Sequence, residues 1–281
     1  MVSIKRMLVY IFFAVLCAAV MLPVIMMVLL SLNDETELAS AIMPLESGKG
    51  FCAPDPLPFF PTFSHYKKLM LYTPEFYRVF FNSLRNTAVI LVCQVLFAAP
   101  SAWAFSRMKS RHSKLLFDMY VIFMLMPFQV TMLSQYLLLD RLGLMDTSAA
   151  LILPAVFSTF PVFIMYRSFS QIPEDVLDHA RIDGAGEFTI FLRIGLPMGR
   201  SGMLAAVTLG FLDLWNMVEQ PLAFIKDKRL LPLSVYLPMI DKGSEGIVLA
   251  ASVITLIPAV FVFIIGQDEL EAGMISSGIK E

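Results

Sequence analysis

Long apolar runs separated by short polar segments dominate the chain, and their lengths set the first expectation. Crossing about 30 Å of hydrocarbon takes roughly 20 helical residues. Residues 7–32, 86–105, 119–139, 147–166 and 246–267 reach that length without a charged side chain. A sixth run, 201–225, is interrupted only by Asp213 and Glu219. The runs are too long and uniform for barrel strands, in which lipid-facing and lumen-facing residues alternate. Helices instead satisfy their own backbone polar groups in lipid. The pattern predicts an all-α integral membrane protein with six transmembrane helices. Pro23, Pro100, Pro127, Pro154, Pro161 and Pro258 fall inside the runs and mark expected bends.

Composition agrees with this reading. Of 281 residues, 58% are hydrophobic and 16% charged, whereas about a quarter are charged in a soluble domain. A net charge of -2 with no basic face gives no reason to expect nucleic acid as a partner. Cys17 and Cys93 lie in apolar runs and Cys52 stands alone in a polar region, so no disulfide framework follows. The first run is longer than a signal-peptide core and is expected to stay as a span. Bulky Leu16 before Cys17 argues against lipidation there.

Basic residues near span ends predict orientation. Lys5 and Arg6 precede the first run, and Arg107, Lys109, Arg111 and Lys114 follow the second. Both groups belong on the cytoplasmic side, and six spans then place both termini there. Lys226, Lys228 and Arg229, on the expected outer side, run against the rule. The chain thus divides into a first span (1–32), an external region (33–80) and a membrane core (81–281). The core carries a cytoplasmic loop at 168–200 between the fourth and fifth spans, and a cytoplasmic tail at 268–281. Residues 41–66, rich in Pro and Gly, read as an external loop.

The cytoplasmic loop is the least lipid-like stretch. Pro173 suits an early helical position, and Glu174 and Asp175 favour the positive end of the helix dipole. Val176, Leu177 and Ala180 recur at helical spacing and form one apolar stripe, while Gly184 and Gly186 terminate the helix. A second helical start follows, with Phe188, Phe191 and Leu192 on one face. Such a stripe has three places to go: the chain's own helix ends, the lipid interface or a partner protein.

Within this loop, "DHARIDGAGEFTIFLRIGLP" (178–197) places nine residues between Gly184 and Ile194-x-Leu196-Pro197. The spacing resembles the EAA motif of binding-protein-dependent ABC-transporter permeases: Glu-Ala-Ala, three residues, Gly, nine residues, Ile-x-Leu-Pro. Asp178-His179 stand where that motif has Glu-Ala. Other pieces resemble the sugar-type branch, the relatives of the maltose transporter's small permease subunit. They are "FNSLRNT" (81–87), "MPFQVTM" (126–132), "LGLMDTSAALILP" (142–154), "WNMVEQPL" (215–222) and "LEAGMISSGIK" (270–280).

The resemblance implies a permease subunit of an ATP-driven importer in a prokaryotic cell membrane, with a sugar or polyol as cargo. Its implied partners are a second homologous permease subunit, a dimer of ATPase subunits that bind ATP and Mg, and an extracellular solute-binding protein. It also implies that the loop couples to the ATPase through Val176, Leu177, Asp178, His179, Ala180, Asp183, Gly184 and Phe188. The tail would reach toward the same ATPase, and Trp215-Asn216 and Pro221-Leu222 would mark a bent fifth span.

No catalytic or cofactor chemistry is expected within the chain itself. It has no GxxxxGK[ST] phosphate loop. His65, His112 and His179 are far apart, with no metal-ligand spacing. Ionisable groups within a span are costly unless they face protein or water. Asp213 and Glu219, with Trp215, Asn216 and Gln129, are therefore candidates for a translocation path, since a ring beside a carboxylate or amide suits a polyol. Thr131 and Gln135 are weaker candidates, and all of these side chains could instead brace the helix bundle. A different class of function, an ion-coupled secondary transporter, would use Asp213 or Glu219 as its coupling group.

Overall fold

The computed structural model describes residues 4–47, 58–108, 110–240 and 244–278. Cys52 with the rest of 48–57, Lys109, and the end of the tail at 279–281 lie outside the described residues. Among the described residues all regular structure is helical. The α-helices are α1 (Ile4–Leu30), α2 (Glu35–Ser47), α3 (Ser64–Tyr72), α4 (Pro74–Arg107), α5 (Arg111–Met124), α6 (Phe128–Arg141), α7 (Ser148–Val156) and α8 (Thr159–Phe169). They continue as α9 (Glu174–Ile182), α10 (Glu187–Ile190), α11 (Leu196–Met198), α12 (Arg200–Trp215), α13 (Glu219–Phe224), α14 (Leu233–Tyr236) and α15 (Glu245–Gly278). A π-helical turn, Phe191–Gly195, joins α10 to α11.

Among the described residues, four stretches are long and apolar enough to cross a membrane: Arg6–Leu30, Pro74–Arg107, Ser148–Phe169 and Glu245–Glu271. Two bent pairs raise the number to six if each forms one span: α5 with α6 at 98°, and Glu187–Met198 with α12 at 67°. The chain is an all-α, multi-span membrane protein. At about 1.5 Å per residue, the 34 residues of α4 extend roughly 50 Å, more than a bilayer core requires.

Three of the six expected runs are not single helices; the run 147–166 pauses at Phe157 and Ser158, between α7 and α8. Residues 119–139 break before Pro127, which caps α6 in an extended conformation (φ -66°, ψ 148°) and has no N–H to continue α5. The run 201–225 stops at Trp215 and restarts at Glu219. Pro221 explains the interruption, because a continuous helix would need its missing N–H for the carbonyl of Met217. That carbonyl accepts instead from Ser234 Oγ at 2.6 Å. The expected external loop is also shorter than its composition suggested, since residues 41–47 belong to α2 and 64–66 to α3.

The chain divides into two compact units, residues 1–78 with 237–257 and residues 79–236 with 258–281. In the first, the turn after α1 is tied to α3. Thr62 N donates to the Leu32 carbonyl at 2.7 Å, His65 Nε2 to the Asn33 carbonyl at 3.0 Å, and Lys68 pairs with Glu35 at 2.7 Å. The helix α1 is apolar all round and exposed over most of its length, as suits lipid.

Two apolar cores lie among the described residues of the second unit. One gathers Leu139, Ala150, Leu151, Phe224, Ile225, Leu231 and Val235. The other gathers Ala98, Ala102 and Trp103 of α4, Val162, Met165 and Phe169 of α8, Leu177 of α9, and Ile190 and Phe191. α12 lies directly on α8, and a Cβ at Gly202 would sit 2.3 Å from that of Ser168. Only a glycine admits that approach.

Candidate functional site

The segment between α8 and α12 begins with a helix whose ends are set locally. Pro173 occupies the N-cap, Glu174 and Asp175 fill the first turn, and His179 and Arg181 the last, matching the dipole at both ends. Gly184 (φ +85°) follows the C-cap residue Asp183. Ala185 N donates to the Ala180 carbonyl and Gly184 N to the Arg181 carbonyl, both at 3.0 Å. These two bonds are the Schellman pattern, which closes a helix on a left-handed glycine.

Tertiary packing then sorts the side chains of this segment. Leu177 is 0% exposed, held among Trp103, Phe169, Ile172 and Phe191, with Ala180 packed beside it. Of the three destinations open to the stripe, its centre goes to the chain's own helix ends. Val176, at the edge of the stripe, is 39% exposed, while Ile182 and Phe188 project at 83% and 73%. Phe188 and Phe191, expected on one face, point opposite ways, because Phe191 is buried against Trp103 at 5.8 Å between ring centroids.

Three charged residues of the loop engage one another. Arg181 Nε donates to Glu187 Oε1 at 2.7 Å and Nη2 to Oε2 at 3.3 Å, while Nη1 reaches Asp178 Oδ1 at 2.6 Å. These partners hold the Arg181 guanidinium more firmly protonated than usual, Glu187 contributing most. Asp178 therefore serves its own loop. His179 is exposed, its Nδ1 donating to the Asp175 carbonyl, and Asp183 is exposed at the C-cap. The acid–Arg spacing of Asp178 and Arg181 is a readable i,i+3 helix pair.

A second group of polar side chains lies where α12 gives way to α13. Gln129 Nε2, at the start of α6, donates to Glu219 Oε1 at 2.6 Å. Asp213, Asn216 and Glu219 are all exposed, and Asn216 Nδ2 returns to the Leu212 carbonyl at 2.9 Å. Trp215 is not with them. It is 3% exposed, stacked on Phe211 (5.3 Å, 14°) and edge-on to Phe80 (5.8 Å), so its ring is packed in the core. Thr131 accepts from Gln135 Nε2 at 3.3 Å, a bond within α6. Among the described residues no group of three or more His, Cys, Asp or Glu side chains is placed to hold a metal.

Comparison with known proteins places this geometry. Residues 74–275 match the family of binding-protein-dependent transport system inner membrane components. The chain belongs to that family. It is similar to the arabinooligosaccharide transport system permease protein AraQ of Halalkalibacterium halodurans, 32% identical over 72% of this chain and 73% of that one. It is also similar to AraQ of Bacillus subtilis, 26% identical over 99% and 97% of the two chains. A crystal structure of a bacterial ABC transporter involved in import of the acidic polysaccharide alginate shares its fold. That likeness has a TM-score of 0.80 at 19% identity, over 94% of this chain and 96% of that one. The permease is thus a non-catalytic, multi-pass membrane subunit of an ABC transporter. Membership is of the family at large and not of a maltose system in particular, and it displaces the ion-coupled reading.

Proposed function

We propose that the permease forms half of the translocation pathway of a carbohydrate importer, beside a second homologous permease. A dimer of separate ATPase subunits, binding ATP and Mg, would drive it, and an extracellular solute-binding protein would supply the cargo. Relatives named for arabinooligosaccharide, diacetylchitobiose and lactose transport support a carbohydrate as cargo. The basic residues Lys5, Arg6, Arg107, Arg111 and Lys114 support cytoplasmic termini and a cytoplasmic loop.

The observation that carries the coupling assignment is the outward pair Ile182 and Phe188, the most exposed large apolar side chains of the loop. Leu177 and Arg181 are spent on the loop's own order, whereas these two large apolar side chains have no intramolecular cover. In this reading Ile182, Phe188 and the edge residue Val176 enter the ATPase cleft. His179 and Asp183 border it, Leu177, Ala180 and Gly184 shape the helix, and Asp178 fixes Arg181. Gln129, Asp213, Asn216 and Glu219 line the path, because exposed ionisable groups in a membrane core require water or protein opposite them.

The test is co-purification. Replacing Ile182 and Phe188 together by Asp should leave the permease in the membrane but strip the ATPase from detergent-solubilised complex. Full retention of the ATPase by that double variant would overturn the assignment.

A further inference from the structure

Both arms of the loop return to one turn of α4. Arg107, the last residue of that helix, donates Nη2 to the carbonyl of Phe169 and Nη1 to that of Ile172, the latter at 3.4 Å. The Phe169 carbonyl belongs to the last turn of α8; it accepts from Ile172 N at 3.2 Å, and Arg107 takes up its second lone pair. Ile172 immediately precedes Pro173, the N-cap of α9. Arg107 thereby spans the whole entry into the loop.

Trp103, one turn earlier on α4, collects the other arm. Its ring lies 4.5 Å beneath the Arg107 guanidinium carbon, 5.5 Å from Phe169 edge-on and 5.8 Å from Phe191. A Cβ at Gly195 would stand 2.8 Å from the Trp103 ring, so the exit arm lies against the indole. That arm is the π-helical turn Phe191–Gly195, a geometry concentrated at functional positions in helices. Leu177 is buried in the same cluster. α9 is therefore fastened to α4 through Arg107 and Trp103, as well as joined to α12 through the chain.

We infer that Arg107 is a positioning residue for energy coupling. Its fork locks the entry arm to α4, so that displacement of α9 by the ATPase moves α4 together with α12. This rests on the coupling role proposed above. Without the fork, the entry arm yields and the displacement is absorbed inside the loop. Lysine retains the charge over Trp103 but brings no planar fork, and glutamine removes the charge.

The experiment uses the full complex with its ATPase subunits. Cys17, Cys52 and Cys93 are replaced by Ser and a reporter is introduced as Asn216→Cys. Labelling of the reporter by a membrane-impermeant maleimide is compared without nucleotide and after ATP–vanadate trapping. With Arg107 present, trapping changes the labelling rate. With Arg107→Gln, ATP hydrolysis continues but the nucleotide-driven change shrinks roughly fivefold or more; Arg107→Lys falls between. An undiminished change in Arg107→Gln overturns the inference, and so does an undiminished change in Arg107→Lys if the Gln variant does not assemble. The Ile182/Phe188 double Asp variant separates the two readings. If it sheds the ATPase while Arg107→Gln responds normally, only the role of Arg107 fails; if it keeps a responsive ATPase, the coupling reading itself fails.

Discussion

Arg181 and Glu187 face each other across the glycine turn of the loop, joined by two nitrogen–oxygen contacts at 2.7 and 3.3 Å. The pair bridges α9 and α10, yet the Glu187 carboxylate is largely in solvent. Exposed ion pairs contribute about 0–1 kcal/mol, so Glu187→Gln should barely move global stability. Its effect should be local: faster amide exchange at the turn, 183–186, growing with salt in the unmodified protein as the pair is screened. Equal exchange in the two proteins at low salt would show that the backbone alone sets the turn.

Gly184 has open space around the position of a Cβ, but a φ of +85°. Side-chain size is therefore not what its replacement tests. Gly184→Val should cost about 1–2 kcal/mol through backbone strain. Gly184→Asn, a residue that visits this region readily, should cost less. Thermal unfolding of the purified permease with each variant checks the ranking.

Leu177 and Ile182 sit on one short helix with opposite exposures, 0% and 83%. Leu177→Ala removes a core side chain and should destabilise by about 2–5 kcal/mol. Ile182→Ala should leave the unfolding midpoint unchanged and weaken ATPase retention. If Leu177→Ala proved the milder change in melting, the inward packing of the stripe would be wrong.

Asp146 offers a pH test outside the spans. It adopts φ +59°, and its Oδ1 accepts from the backbone N–H groups of Asp227 (2.7 Å) and Lys226 (2.8 Å). These donors, Asp227 first, hold its carboxyl below the usual carboxylate value. A lowered folded-state value means the stabilisation is fully present above the unfolded value, near pH 4, and is lost as pH falls through the folded one. Asp146→Asn keeps the backbone conformation, which Asn tolerates, but weakens the acceptor. It should lower the unfolding midpoint at pH 7, and the gap should close below about pH 4. A gap independent of pH would assign the effect to something other than the charge.

Much of this protein is legible without coordinates because it is local. Run length and hydropathy identify a membrane protein, and Pro173, the acids after it and Gly184 mark the ends of α9 within a residue or so. Those features depend on backbone propensity and on neighbours a few residues away. The same reasoning does not reveal that the run at 119–139 bends by 98° at its proline, since a proline in lipid is compatible with slight or sharp bends.

By itself, then, the sequence determined the class of protein and its long apolar segments, because both are written in spacing along the chain. Tertiary structure alone decided which side chains face where. It turned Leu177 and Phe191 inward and left Ile182 and Phe188 outside, and it sent Trp215 into the core away from Asp213 and Glu219. It also brought Gln129 to Glu219 across 90 residues and Arg107 to the Phe169 carbonyl across 62. The physical reason is that a helical pattern defines an apolar face but not the neighbour that covers it. Arg107 reaches the carbonyls of Phe169 and Ile172 only when α4 and α8 pack together.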